Sequence, residues 1–77
     1  MVLESLIKSI AEVLEIEESE ITRDSLFVED LGADSLDIME IIINLEDEFN
    51  IKIPVETAAE IKTVGDAADK IEKAINK

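Results

Sequence analysis

The chain has 77 residues, of which 47% are hydrophobic, and a formal net charge of −13; residues 1–77 are expected to form one small domain that closes a core against its own repulsion. At this size a core supplies only about 3–5 kcal/mol without staples, so a compact and mostly helical arrangement is expected. Cysteine and histidine are both absent, which excludes disulfides, thiolate metal sites, thiol catalysis and an imidazole base; the acidity disfavours nucleic acid and anionic lipid as partners and favours proteins that present Lys and Arg.

The start, Met1-Val2-Leu3-Glu4-Ser5, has no basic region, and no apolar run approaches the roughly 18 residues needed to span a bilayer. The expectation is a soluble, cytoplasmic monomer with no membrane insertion. Leu3, Leu6, Ile7, Ile10, Val13 and Leu14 recur at three- and four-residue steps, which predicts a first amphipathic helix of about 14 residues, with Lys8 and Glu12 paired on its wet side. From Glu15 to Asp34 the period is lost and Ser19, Thr22, Asp24, Ser25 and Gly32 accumulate, so a long connection is predicted. Connections of this length are uncommon. Ile16, Ile21, Leu26, Phe27, Val28 and Leu31 are its expected apolar anchors, and such a segment can cross over a helical bundle.

A second helix is predicted from Ser35 to Phe49, with Asp34 as N-cap and Asn50 as stop signal. After Pro54, the segment from Val55 to Ile61 suits one short helix. Thr63-Val64-Gly65-Asp66 reads as an imperfect capping box opening a last helix, with Val64, Ala67, Ala68, Ile71 and Ile75 inward and Asp66–Lys70 and Asp69–Lys73 pairs outside. The fold class is therefore all-α, a small four-helix bundle of three main helices and one short helix with a long first connection.

At about 100° per residue, Ile38, Ile42, Leu45 and Phe49 share one arc of the second helix, with Ile41 at its edge, and form its expected core face. Leu36, Met39 and Ile43 form an adjacent stripe flanked by Glu40, Glu46 and Asp47. That stripe reads either as a broad core face in a short bundle or as a docking surface whose apolar knobs give affinity while the acids steer a basic partner. Between Asp24 and Ile51 there are nine carboxylates and no Lys or Arg. The usual meaning of such a run is a solvated face. Here Asp34 and Asp37 suit the positive end of the helix dipole, whereas Glu46, Asp47 and Glu48 sit at the negative end, where each costs about 0.3–1 kcal/mol.

Ser35, in Gly32-Ala33-Asp34-Ser35-Leu36-Asp37, lies at the start of this helix. As a nucleophile it would need a general base, and the chain offers only carboxylates and a few distant lysines, so catalysis by the chain itself is not expected. Ser35 reads either as an ordinary helix-start serine or as a hydroxyl open to modification by another protein, with little bulk around it because Gly32-Ala33 precedes it. A helix N-terminus favours a phosphate, and the adjacent Asp34 and Asp37 make covalent delivery more suitable than reversible binding. Asp30, Asp34 and Asp37 are close in sequence, but they lack the glycine and bidentate glutamate of an EF-hand, so no metal site is expected.

Phe27-Val28-Glu29-Asp30-Leu31-Gly32-Ala33-Asp34-Ser35-Leu36-Asp37, followed by Leu45-Glu46-Asp47-Glu48-Phe49 and Ile53-Pro54, resembles the acyl carrier proteins of dissociated (type II) fatty acid synthases. The match runs from Phe27 to about Ile75, and the first helix matches in pattern more than in residues. The resemblance implies a non-catalytic carrier in fatty acid biosynthesis. In it Ser35 receives 4′-phosphopantetheine from coenzyme A through a separate transferase that uses magnesium, and the terminal thiol of that cofactor holds the acyl chain as a thioester. It also implies that Asp34, Leu36, Asp37, Met39, Glu40, Ile43, Glu46 and Asp47 form the recognition face for the phosphopantetheinyl transferase and for fatty acid synthesis enzymes with basic docking patches. Phe27, Leu45, Ile53, Ala58, Ile61 and Ile71 would line an acyl cleft, although all six also read as core residues. Ile38, often small and polar in the family, and Asn44, often alanine, depart from its common pattern, and Ile41-Ile42-Ile43 is stiffer at χ1 than a Leu/Val/Met mixture. The alternatives are a carrier of a polyketide or other specialised lipid pathway, and an unmodified acidic adaptor that docks basic partners.

With 20 acids against seven bases, self-repulsion should limit stability. Added sodium chloride or magnesium is expected to raise the thermal midpoint measured by circular dichroism; a flat or falling midpoint would show that charge does not limit this fold.

Overall fold

A computed structural model describes residues 2–76. Among these residues α1 spans Val2–Leu14, α2 Ser35–Phe49, α3 Val55–Ala59 and α4 Val64–Ile75, with a single 3-10 turn at Glu18–Glu20 in the long connection. The described residues contain no β-strand, only an isolated antiparallel bridge between Leu26 and Thr63. None of these helices is long and apolar enough to cross a membrane.

Helix α1 packs against both α2 and α4, so its apolar stripe organises the bundle. Leu6, Ile10, Phe27, Ile41, Leu45, Val64 and Ile71 are fully enclosed. Burying each such side chain contributes about 1.5–3 kcal/mol before entropy is subtracted. The core of α2 is centred on Ile41, Ile42 and Leu45. The expected arc of Ile38, Ile42, Leu45 and Phe49 therefore needs correction: Ile38 and Phe49 are only half-buried, and Ile41 is central. Ile38 and Phe49 pack against the core from near the two ends of α2 without being enclosed, and Ile38 also borders open depressions; periodicity fixes azimuth and not axial position. Asn44 Nδ2 donates to Ser9 Oγ at 3.3 Å, a polar tie between α2 and α1 beside this core.

Helices α1 and α2 both stop on a residue in the left-handed region, Glu15 (φ 58) and Asn50 (φ 56). In each case the following N–H, of Ile16 or Ile51, donates back to the carbonyl five residues earlier, at 3.1 Å from Ala11 and Glu46 respectively. Asn accepts this conformation readily; Glu15 carries a strain of about 1–2 kcal/mol.

The connection from 15 to 34 folds onto the entrance of α4. Phe27 N–H donates to Lys62 O at 3.0 Å, Val64 N–H to Ser25 O at 3.0 Å and Gly65 N–H to Arg23 O at 2.8 Å. Gly65 suits this close approach, since a Cβ there would meet Arg23 O at 3.2 Å and the neighbouring backbone would have to give by a few tenths of an ångström. Of the expected anchors, Ile21 and Phe27 are buried, Ile16 and Leu31 pack against the core, and Leu26 is half-buried. Val28 is 60% exposed and anchors nothing.

Helix α3 ends at Ala59, two residues short of the predicted Ile61, because Glu60 and Ile61 turn to bring the chain back to α4. The box at the start of α4 is complete: Thr63 Oγ1 accepts from Asp66 N–H at 3.0 Å, and Asp66 Oδ2 accepts from Thr63 and Lys62 N–H at 3.2 Å each. Ile75, expected inward, is exposed at the last turn. Among the described residues the ion pairs are Arg23–Asp69 at 3.2 Å and Lys70–Glu60 at 2.9 Å, in place of the predicted Lys8–Glu12, Asp66–Lys70 and Asp69–Lys73 pairs. Asp66 is taken up by the cap and Asp69 by Arg23, so neither closes an ion pair with the lysine four residues on, although the Lys70 charge still helps to lower the Asp66 carboxyl.

The backbone N–H groups of Thr63 and Lys62 hold the Asp66 carboxyl below its ordinary value of 3.8. A carboxyl depressed on folding adds stability above its ordinary value and loses it as pH falls through the lower folded value. Asp66→Asn is therefore expected to melt below the wild type at neutral pH, with the gap closing as pH falls below about 3.8. Parallel thermal melts across pH check this, and a gap that widens in acid would refute it.

Candidate functional site

The start of α2 is built by the turn that precedes it. Asp30 N–H and Leu31 N–H both donate to Leu26 O, at 2.9 and 3.0 Å, and Ala33 N–H donates to Phe27 O at 2.8 Å. Asp30 Oδ2 accepts from Leu26 N–H at 2.9 Å, which closes the same turn. Gly32 takes φ 71, a left-handed conformation that glycine adopts without strain. A Cβ at Gly32 would meet open space, so this glycine is needed for its backbone and not to clear room around a neighbour. Ala33 is buried, packed inward beneath the helix start.

Asp34 then caps α2. Its Oδ1 accepts from Asp37 N–H at 2.8 Å, and Asp37 Oδ2 accepts from Asp34 N–H at 3.2 Å. This reciprocal box engages both carboxylates that flank Ser35 in sequence, and the serine hydroxyl is not one of its members. Ser35 lies at the first helical position and is exposed. Its surroundings offer anchored backbone below and solvent above. Asp30, Asp34 and Asp37 each have a backbone N–H partner, and among the described residues no three of His, Cys, Asp and Glu are grouped to hold a metal ion.

Ser35 borders an open apolar depression of about 280 Å³ with Ile38, Met39, Ile42, Ala58 and Ile61. Val55 and Ala59 also line it. A second depression, of about 330 Å³, shares Ile38, Ala59 and Ile61 with the first and reaches Phe27. A third, of about 370 Å³, extends along Met39, Ile43 and Glu46 to Ile53 and Ala58. Of the six residues assigned to an acyl cleft, the structure thus brings Ala58 and Ile61 to the Ser35 depression, and Phe27 and Ile53 to its neighbours. It places Leu45 and Ile71 in the closed core, away from all three. Sequence reasoning missed Val55, 73% exposed beside the site, for which a valine in a short helix with no apolar partner on a core face was the available signal. It also missed that Ile38 faces this depression.

The outer stripe of α2 is open to solvent: Leu36 is 78%, Met39 45% and Ile43 48% exposed. The structure therefore decides against the broad-core reading of this stripe. Glu40 and Asp47 are exposed beside it, as is Asp34 at its head, while Asp37 is partly covered. Glu46 differs from the others, because its Oε2 accepts from Ile53 N–H at 2.7 Å and so ties the segment after α2 back to the helix. Apolar knobs ringed by acids on one rigid helix can capture a partner with basic residues around an apolar patch.

Comparison with known proteins gives three concordant findings. The family described as "Phosphopantetheine attachment site" matches residues 4–71. An acyl carrier protein of Porphyromonas gingivalis is 54% identical over 68 residues, covering 88% of this chain and 87% of that protein. Among solved structures, a chain from Mycobacterium tuberculosis assigned as an acyl carrier protein superposes with a TM-score of 0.88 at 37% identity, covering 95% of this chain and 97% of its own. The apo doublet acyl carrier protein from prodigiosin biosynthesis gives 0.81 at 29% identity, over 94% of this chain and 35% of that one.

Asp34→Ala removes an N-cap acceptor and is expected to destabilise by about 1 kcal/mol, whereas Asp34→Asn retains an acceptor and should be nearly neutral. Thermal denaturation of the two variants checks this; equal losses would show that charge at the helix start, and not capping, is what matters.

Proposed function

This chain belongs to the acyl carrier proteins, the family with a phosphopantetheine attachment site, and from that membership we propose that it carries acyl intermediates of fatty acid biosynthesis on 4′-phosphopantetheine joined to Ser35. It is a non-catalytic carrier whose cofactor is 4′-phosphopantetheine, and it serves as substrate for a phosphopantetheinyl transferase and for synthesis enzymes. The observation that carries the Ser35 assignment is an exposed hydroxyl at a capped helix start, held on an anchored turn, with an apolar depression beside it.

The residues present fit the group. Ser35 would hold the group through Oγ, a phosphodiester forming as the pyrophosphate P–O bond of coenzyme A breaks and adenosine 3′,5′-bisphosphate leaves, on a transferase that uses magnesium. The two flanking carboxylates are occupied in capping and the chain has no histidine, so this chain presents no dedicated base to Oγ. When attached, the cofactor supplies the thiol that a chain without cysteine lacks, and holds acyl groups on it as thioesters. Ala58 and Ile61, with Ile53 in an adjoining depression, present the apolar surface on which cargo would rest; Phe27 lies enclosed at the floor of the other depression, and Leu45 and Ile71 form the core behind.

Leu36, Met39 and Ile43 provide the contact area for partner enzymes, and Asp34, Asp37, Glu40, Glu46 and Asp47 the attraction for their basic patches. Such charges act chiefly on encounter rate and orientation, which suits a carrier that must visit and leave several enzymes. The carrier acts as a monomeric single domain in the cytoplasm, where these enzymes work on it in turn. The fatty acid assignment is supported by the wording of Phe27–Asp37, which resembles the acyl carrier proteins of dissociated fatty acid synthases.

Incubation with coenzyme A, magnesium and a broad phosphopantetheinyl transferase should add one prosthetic group by intact mass, and Ser35→Ala should add none. No addition to the wild type, or addition that survives Ser35→Ala, would overturn the reading. Intact mass of the protein from its native cells then reports the cargo, and fatty acyl thioesters are expected over polyketide intermediates.

A further inference from the structure

The chain has only seven basic residues, yet three of them, Lys52, Lys70 and Lys73, line one surface groove of about 560 Å³ between the 51–54 segment and α4. Ile53, Pro54 and Ala74 contribute its apolar lining. In a molecule of net charge −13, gathering cations in one place requires that local acids be directed elsewhere. Asp66 is bound to the backbone N–H groups of Lys62 and Thr63, and Asp69 to Arg23. Lys70 is held by Glu60 at 2.9 Å, and neither Lys52 nor Lys73 forms an ion pair with a described residue. Lys73 also suits the negative end of α4, and Lys70 links that helix to the end of α3. Lys52 does neither: it stands exposed three residues beyond Phe49, the last residue of α2.

The position of the groove is informative. Lys52, Ile53 and Pro54 also line the depression that runs along Met39, Ile43 and Glu46, so the basic groove adjoins the acidic outer face of α2. We propose that the docking surface has two signs: a partner enzyme that sets basic residues against the α2 acids also places an acidic, partly apolar segment in the groove of Lys52, Lys70 and Lys73. The inference deepens the partner reading above and rests on it for the α2 face. A uniformly basic partner would be repelled where the surface changes sign, so the pattern fixes orientation along α2 and rejects partners that attraction to the acids alone would admit.

Amide chemical shifts of the unmodified, full-length chain should be followed while a short synthetic peptide of alternating Glu and Leu is added. Saturable shifts at residues 52–57 and 70–74 are expected. Binding should weaken by about tenfold or more in Lys52→Gln/Lys73→Gln, persist in Lys52→Arg, and decline with added salt. Absence of saturable shifts overturns the proposal. So does undiminished binding by a double variant whose circular dichroism matches the wild type, or the same shifts from inorganic phosphate alone, which would mark a site for free anions. The peptide is read on unmodified protein, so a failure of loading at Ser35 would remove the carrier reading and leave this result standing.

Discussion

The backbone hydrogen bonds between residues 23–27 and the entrance of α4 are the constraint from which the site follows. Phe27, Ser25 and Arg23 each exchange a bond with Lys62, Val64 or Gly65, and this fastens an otherwise irregular stretch to the start of a helix. Phe27 is thereby driven into the core, and the turn from Leu26 to Ala33 closes above it. Ser35 is two residues beyond that turn. It is exposed, and the chain beneath it is held by backbone hydrogen bonds.

Helix α2 divides its surface between two tasks. Ile41, Ile42 and Leu45 face the bundle, while Leu36, Met39 and Ile43 face water with acids around them. The outer face works against stability, through exposed apolar area and through acids at the negative end of the helix dipole. The cap at Asp34 and Asp37 and the left-handed stop at Asn50 offset part of that loss by satisfying both ends of the helix. Glu46 serves both faces, lying beside the outer stripe while bonding Ile53 and so positioning the segment from which α3 and the Lys52 groove depart. Charge on this molecule is accordingly not a uniform acidic coat but an arrangement that changes sign along one surface.

The function assigned to the family matches what the chain can and cannot do by itself. It has neither thiol nor imidazole, and the carboxylates beside the exposed Ser35 hydroxyl are occupied in capping. It can therefore be modified and recognised, and the reactive chemistry belongs to the attached group and to the enzymes that visit it.

Much of this was legible in the residues. Local signals are short-ranged and physical: the periodicity of Leu3 to Leu14, the Asp34 cap, the Asn50 stop, the Thr63–Asp66 box and the two stripes of α2 all depend on neighbours within four positions, and so the helices could be drawn from the chain alone. The missing histidine and cysteine likewise settled what Ser35 could not do before any fold was known. Tertiary structure decided whatever depends on which element lies opposite. It exposed Val28 and Ile75, moved the centre of the α2 core to Ile41, gave Asp69 to Arg23 instead of Lys73, and brought Lys52 beside Lys70 and Lys73 across a gap in sequence that no periodicity spans. A repeat of 3.6 residues reports the direction in which a side chain points, but only the packed neighbour determines whether that direction ends in protein or in water.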